Sequence, residues 1–428
     1  MDTIRYWIWL QSALLQGSRK IRMIYTKYGS PKIFYDLGLR EWKASGMFSA
    51  GEINRLKGTD ISISDEIINE CNNLNYKIIT PDSSEYPLRL LNIPDYPAVI
   101  YVWGDIGRID DEVAVTIVGT RSESPYGKKA AYNISLGLAK AGALVISGGA
   151  VGVDITSHKG ALVGGGKTIA VLGCGINTKY LTENESLRQV ISEHGAVISE
   201  YPPGTPVTKA AFPIRNRILS ALSLGTVVVE AASRSGSLIT ANFAVEQGRD
   251  VFAVPGSIES EYSRGTNKLI QDGAKPVLCA LDILMEYNGL YPHKLNLLIP
   301  EIFENKEQLK NIEEKLEQDF NISQIKKYIN IKKELDKKEK IIKTKAKKIK
   351  AENTKPKDDS KCSILSDDIL NSMSPLCKNI YKTLNKEPKH IDKIANEVYM
   401  PMNQVLGAIT ELELKQAIKS YAGRRFSR

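Results

Sequence analysis

The sequence predicts a parallel α/β domain set between a small helical front domain and a C-terminal unit of helices and a hairpin. Three observations carry this. From Tyr76 onward, short apolar runs of β-forming residues alternate with longer helical segments, the pattern of a parallel sheet covered on both faces. Those runs end in small-residue loops with arginines among them. Beyond Tyr287 the composition shifts to Lys, Glu, Ile and Asn, and a compact apolar unit returns only near Ser363.

The elements follow in order. Residues 1 to about 65 read as short helices over Tyr6 to Leu15, Ser18 to Tyr28, Pro31 to Leu37, Glu41 to Ser45 and Ala50 to Leu56. Gly17, Gly29-Ser30-Pro31, Gly38 and Gly46 mark the turns between them. They form a bundle, either of helix-hairpin-helix type or a packing domain without a ligand. Strands are expected at Lys77 to Thr80, Ala98 to Val102, Val113 to Val118, Ala143 to Ser147, Thr168 to Leu172, Ala196 to Ser199, Thr226 to Glu230 and Asp250 to Val254. Helices are expected at Tyr126 to Ala141, Ile155 to Val163, Glu185 to Glu193, Pro213 to Ser223 and Leu238 to Gln247. A helix near Pro375 to Leu384, a helix-turn-helix to Leu414 and a short hairpin through Arg425 complete a winged-helix grammar. The expected domains are 1–65, 66–287, a Lys-rich linker 288–360 and 361–428.

The chain of 428 residues is long enough for several domains, and 42% hydrophobic residues supply a sizeable core. Its net charge of +9 favours a polyanionic partner. Between Lys326 and Lys350, however, twelve lysines face three acids, so the rest of the chain is close to neutral. That run reads as a solvated helix face, a tether or a binding arm. The five cysteines lack CxxC spacing and read as reduced thiols, which implies a cytoplasmic protein. No stretch reaches about 18 uncharged apolar residues, so no membrane span is expected.

In Ile117-Val118-Gly119-Thr120-Arg121-Ser122 the chain leaves a strand, turns through glycine and offers a guanidinium before the next helix. Arginine there clamps phosphate while backbone amides take its other oxygens. Neither GxGxxG nor GxxxxGK[ST] is present, which excludes a dinucleotide fingerprint and an ATPase loop. Ser147-Gly148-Gly149 repeats the device one strand later, and Gly164-Gly165-Gly166-Lys167 is expected to bring Lys167 to the same edge. Arg215, Asn216 and Arg217 open a helix, and Ser235-Gly236-Ser237 opens another with anion-binding geometry. Together, Gly119, Thr120, Arg121, Ser147, Gly148, Gly149, Lys167, Arg215, Asn216, Arg217, Ser235, Gly236 and Ser237 form the expected phosphate-binding set. Asp154 and His158 share a helical face. With four histidines in the chain and no third ligand at suitable spacing, they read as a capping aspartate and a hydrogen-bonded histidine, against acid–base or metal chemistry. Glu230, at a strand end, is a general base or a holder of loop amides.

In this order the motifs resemble the DNA-processing protein A (DprA, also Smf) family of bacteria over roughly residues 76 to 280. The resemblance rests on Gly119-Thr120-Arg121, Gly152-Val153-Asp154 with His158, and Phe212-Pro213-Ile214-Arg215-Asn216-Arg217. It continues through Glu230-Ala231, Ser235 to Ala241, Gly248-Arg249, Val254-Pro255-Gly256, Gly265-Thr266-Asn267 and Gly273-Ala274. It implies an extended Rossmann-like sheet between an N-terminal helix-hairpin-helix or SAM-like domain and a C-terminal winged helix. The implied function is non-enzymatic binding of single-stranded DNA in natural transformation, without cofactor, metal or catalytic residue. Such proteins protect incoming strands, form homodimers and help load the RecA recombinase. Three positions depart from the family: Val151 replaces an arginine, Leu181 a proline and Ala221 a glycine. A rival reading comes from the similar cytokinin-activating phosphoribohydrolase family, whose arginine–glutamate pair Arg215 and Glu230 would imitate. The Pro-Gly-Gly-x-Gly-Thr signature of that family is absent.

Overall fold

The computed structural model describes residues 2–179, 184–291 and 293–297, and part of 375–427. The expected linker 288–360 lies almost wholly outside the described residues, as do Tyr180 and Leu181. The chain divides into two compact units, Met1–Ile342 and Lys343–Arg428.

The first unit opens with five helices, α1 (Asp2–Leu14), α2 (Lys20–Tyr28), α3 (Pro31–Ala44), α4 (Ala50–Gly58) and α5 (Ser62–Asn73). The two helices expected around Gly38 are present within α3, divided where Gly38 takes the non-helical φ +68°, ψ −169°. Ser49 and Glu52 close a capping box at the start of α4. Helix α5 lies beyond the expected helices because its twelve residues are mostly polar. It buries only Ser64, Ile67 and Cys71, one narrow stripe, so its apolar signal is weak.

A nine-stranded sheet follows, built from β1 (Lys77–Ile79), β2 (Ile100–Gly104), β3 (Ala114–Val118), β4 (Leu144–Ser147), β5 (Thr168–Leu172), β6 (Ala196–Ser199), β7 (Gly225–Val228), β8 (Asp250–Ala253) and β9 (Lys275–Pro276). Their spatial order is β1-β2-β6-β5-β4-β3-β7-β8-β9. From β6 to β9 every pairing is parallel. The β1–β2 and β2–β6 pairings are antiparallel. The expected parallel sheet thus carries an antiparallel edge. Between β1 and β2 the only helix is the one-turn α6 (Leu88–Leu91), too short to serve as a crossover. Elsewhere α7 (Pro125–Lys140), α8 (Val153–Val163), α9 (Glu185–His194), α10 (Ala211–Leu222), α11 (Gly236–Glu246), α12 (Arg264–Gln271) and α13 (Ala280–Asn288) connect or cover the strands.

One apolar cluster runs without a break from Trp7, Trp9 and Phe34 in the helical part to Tyr101, Ile146 and Val171 in the sheet. Gln11 joins the two by hydrogen bonds. Its Nε2 donates to the Glu200 carbonyl at 2.5 Å, and its Oε1 accepts from Val99 N at 2.8 Å. A second cluster, including Val115, Ile134 and Phe252, fills the other face of the sheet.

The second unit contains α14 (Pro375–Thr383) and a three-stranded antiparallel sheet of β10 (Lys389–His390), β11 (Lys419–Tyr421) and β12 (Arg425–Ser427) in the order β10-β12-β11. Its own core gathers Cys377, Ile380, Val405, Leu412 and Phe426. The expected first helix and terminal hairpin are both present.

Candidate nucleic-acid interface

The strand order reverses at β3. The chain builds β3 to β6 outward on one side, then crosses through α10 to β7 on the other. In such sheets the crevice beyond the carboxyl ends at the reversal is the natural ligand position. A cleft of about 280 Å³ opens there, lined by Val118 to Arg121 after β3, Ala150 and Asp154 after β4, the first turns of α10, and Ser235, Gly236, Ser237 and Thr240 after β7.

Each wall has a local cause. On α10 the cleft-lining residues Phe212, Arg215, Asn216 and Leu219 follow i, i+3, i+4, i+7 spacing and share one face. Arg121 is exposed at the mouth, its guanidinium 4.9 Å from the centre of the Phe212 ring. The Thr120 hydroxyl accepts from Ser122 N at 3.2 Å and fixes the turn. Ser235 caps α11 by accepting from Ser237 N at 3.3 Å, which aims the helix start at the cleft. Asn216 Nδ2 donates to the Gly236 carbonyl at 3.3 Å, tying two walls together. A cation at the rim and a helix N-terminus suit an anion.

Arg215 is a wall rather than a free clamp. It is buried, and its Nη1 donates to the Gly148 carbonyl at 2.8 Å and to the Val171 carbonyl. Asp154 is buried beside it, and burial raises its carboxyl pKa while the Arg215 charge opposes the rise. Its carboxylate accepts from Ala150 N at 3.3 Å, so it clamps the loop before α8, where the expectation was a helix cap. Gly152, at φ +83°, supplies the turn into that helix. Burial, with Arg215 adding to it, lowers the His158 pKa to about 3. Its Nδ1 lies 2.7 Å from the Thr168 hydroxyl, which itself donates to the Val145 carbonyl. Nδ1 therefore carries the imidazole proton and donates it to Thr168. This is the hydrogen-bonded histidine of the sequence reading.

Five expected residues stand elsewhere. Arg217 points to the opposite face of α10, buried, with Nη2 2.8 Å from Glu200 Oε1 and Nε 3.4 Å from Asp95 Oδ2. Lys167 immediately precedes β5 and so lies at the amino ends of the strands, in a separate cavity of about 330 Å³ with Arg108 and Lys140. Helices α7, α8 and α9 finish at that edge, and cations there complement their carboxyl ends. Ser147 is fully buried and donates to the Ile117 carbonyl at 2.6 Å. Gly148 accepts from Arg215, and Gly149 packs toward Leu172. All three support the floor without lining the cleft. Phe212, Asp154, Thr240, Leu219 and Ala150 line the cleft but were not chosen from the sequence. Helical spacing from Arg215 was the signal available for Phe212 and Leu219.

Glu230 holds loop groups: it accepts from Ser124 N at 2.9 Å and from the Ser124 hydroxyl at 2.5 Å. A Cβ at Gly127 would collide with this carboxylate, so the first turn of α7 needs glycine there. Arg215 and Glu230 are each committed to other partners, and the phosphoribohydrolase-like pair is not formed.

Two family sequence models match the chain, "DNA recombination-mediator protein A" over residues 77–288 and "DprA winged helix domain" over residues 370–424. The DNA processing protein DprA of Bacillus subtilis (strain 168) is 43% identical over 204 residues, covering 48% of this chain and 69% of that protein. The X-ray structure of DprA from Streptococcus pneumoniae superposes with TM-score 0.57 at 33% identity, covering 66% of this chain and 97% of that one. A structure of DNA processing protein A from Helicobacter pylori, described for its single-stranded DNA binding mode, matches with TM-score 0.46 at 31% identity, over 50% of this chain and 97% of that one. With both family models matching and 43% identity over 69% of the Bacillus subtilis protein, the chain belongs to the DprA/Smf family of DNA-processing proteins.

Proposed function

We propose that this protein binds single-stranded DNA without sequence preference, as a non-enzymatic DNA-processing protein of natural transformation. The observation that carries the reading is the cleft at the sheet reversal, with Arg121 exposed at its mouth and the start of α11 behind it. Its chemistry fits phosphate: backbone amides, hydroxyls and a guanidinium contact a backbone that every sequence shares. A recess of this size admits a phosphate that a flexible strand turns inward. A duplex holds its phosphates on a convex surface and cannot do the same. The phosphate set is Gly119, Thr120, Arg121, Asn216, Ser235, Gly236 and Ser237, with Arg215 and Asp154 shaping the floor.

A homodimer and a contact with the RecA recombinase belong to the same reading. Val245, Leu278 and Met285 are exposed on or beside α11 and α13 and supply apolar surface for protein partners. The test is a titration of a labelled single strand and its duplex across a salt series. The single strand should bind more tightly, with log K falling against log salt by about 0.7 per phosphate contact. Equal affinity for both forms would overturn the proposal.

A further inference from the structure

The loops after β3, β7 and β8 are neighbours along the carboxyl edge of the sheet, and only the first two build the cleft. Beyond them the edge carries aromatic surface. Tyr126, in the first turn of α7, is 49% exposed, and its hydroxyl donates to the Pro255 carbonyl at 2.7 Å in the loop after β8. That bond holds the ring between two loops. Tyr262 is 40% exposed, and its carbonyl accepts from Ala231 N at 2.7 Å, which ties the β8 loop to the β7 loop. Ile258, 88% exposed, sits in the same loop. Arg234, next to the cleft residue Ser235, is exposed and makes no ion pair among the described residues.

We propose that this edge is a base-stacking platform for single-stranded DNA leaving the cleft, with Tyr126 and Tyr262 as the stacking surfaces and Arg234 holding the backbone between them. The proposal rests on the single-strand reading of the cleft. Two features favour it. The β7 loop that carries Arg234 and the cleft residue Ser235 is tied to Tyr262 through Ala231. Exposed rings with interleaved arginine also match what single strands need, since every base has a face to stack. The acids of the β8 loop do not reverse this: Glu261 is paired with Arg264 at 2.5 Å, which leaves Glu259 as the loop's acid without an ion pair among the described residues. Net charge there is small, so stacking supplies the affinity.

The experiment compares a labelled oligothymidine with an abasic strand of equal length, both over a salt series. The Tyr126→Ala/Tyr262→Ala protein should lose about tenfold or more on oligothymidine, keep its salt slope, and bind the abasic strand as before. Tyr126→Phe keeps the ring but loses its bond to Pro255, so it should bind oligothymidine more tightly than the double alanine variant and the abasic strand as before, with circular dichroism confirming the fold of each variant. Equal losses on both strands, or no loss on oligothymidine, would overturn the platform. Arg121→Ala separates the two proposals. If it weakens both strands while the tyrosine variant changes neither, the platform alone fails. If it leaves both unchanged, the cleft reading fails as well.

Discussion

Arg215, Asn216 and Arg217 are consecutive on α10 and serve three different ends. Arg215 ties off the carbonyls of Gly148 and Val171, Asn216 joins the helix to Gly236, and Arg217 neutralises Glu200 on the far side. Composition announced cations at a helix start. A step of ~100° per residue also announced that they fan apart, one toward the sheet edge and one toward a neighbour, but not which of them would meet the cleft. Lys167 shows the same limit: its residue type suited phosphate, but its place just before β5 put it at the wrong end of the strands. We therefore expect Arg121→Ala to weaken single-strand binding about tenfold and to shrink the salt slope by roughly 0.7, while Lys167→Ala changes neither. Fluorescence anisotropy on both variants checks this. His158 gives a second expectation. An unfolded histidine titrates near ~6.5, whereas burial holds the folded one near about 3. Between those values the unfolded chain binds more protons. This contribution is therefore complete above pH ~6.5 and is lost as pH falls toward the folded value. Asp154, whose pKa is raised, acts in the opposite sense. Comparison with His158→Gln cancels it. The stability advantage of the native chain over that variant should fall by about 2 kcal/mol between pH ~7.5 and ~5, measured by urea unfolding.

At the scale of elements, most strands and helices of the sheet were legible because burial on both faces leaves long apolar runs. What stayed hidden was the antiparallel edge, since the pattern of a short strand does not record its direction. The polar helix α5 was hidden for want of a stripe. Helix α10 is the element on which the site depends, with one face on the cleft and the other pinned by Arg217 to Glu200 and Asp95. Arg217→Ala should cost about 3–5 kcal/mol, because Glu200 would remain buried and charged. Arg217→Met with Glu200→Gln should cost less, as no lone charge is left. Chemical denaturation orders the two. Folded Arg217→Ala protein should keep its single-strand affinity, since no phosphate contact is removed.

For the whole molecule, the winged-helix unit was readable from its spacing of helices and hairpin, but its task was not. Basic Lys419 and Arg425 flank a fold that reads DNA in some proteins and contacts protein in others. Glu411, beside Cys377, and Glu397, paired with Lys389, show that the unit carries acids as well. We expect a protein contact. Removing residues 361–428 should therefore leave single-strand affinity within about threefold. A larger loss in a filter-binding assay would make the unit a principal DNA site.

The Gln11 clasp also sets a schedule for the nascent chain. Gln11 and its partner Glu200 are 189 residues apart. At ~5–20 residues per second, Glu200 follows Gln11 from the ribosome by roughly 10–40 s. Through that interval the front helices lack the sheet residues of their shared apolar cluster, and the Gln11 amide lacks the Glu200 carbonyl. The first helices made are therefore among the last parts of this unit to be finished.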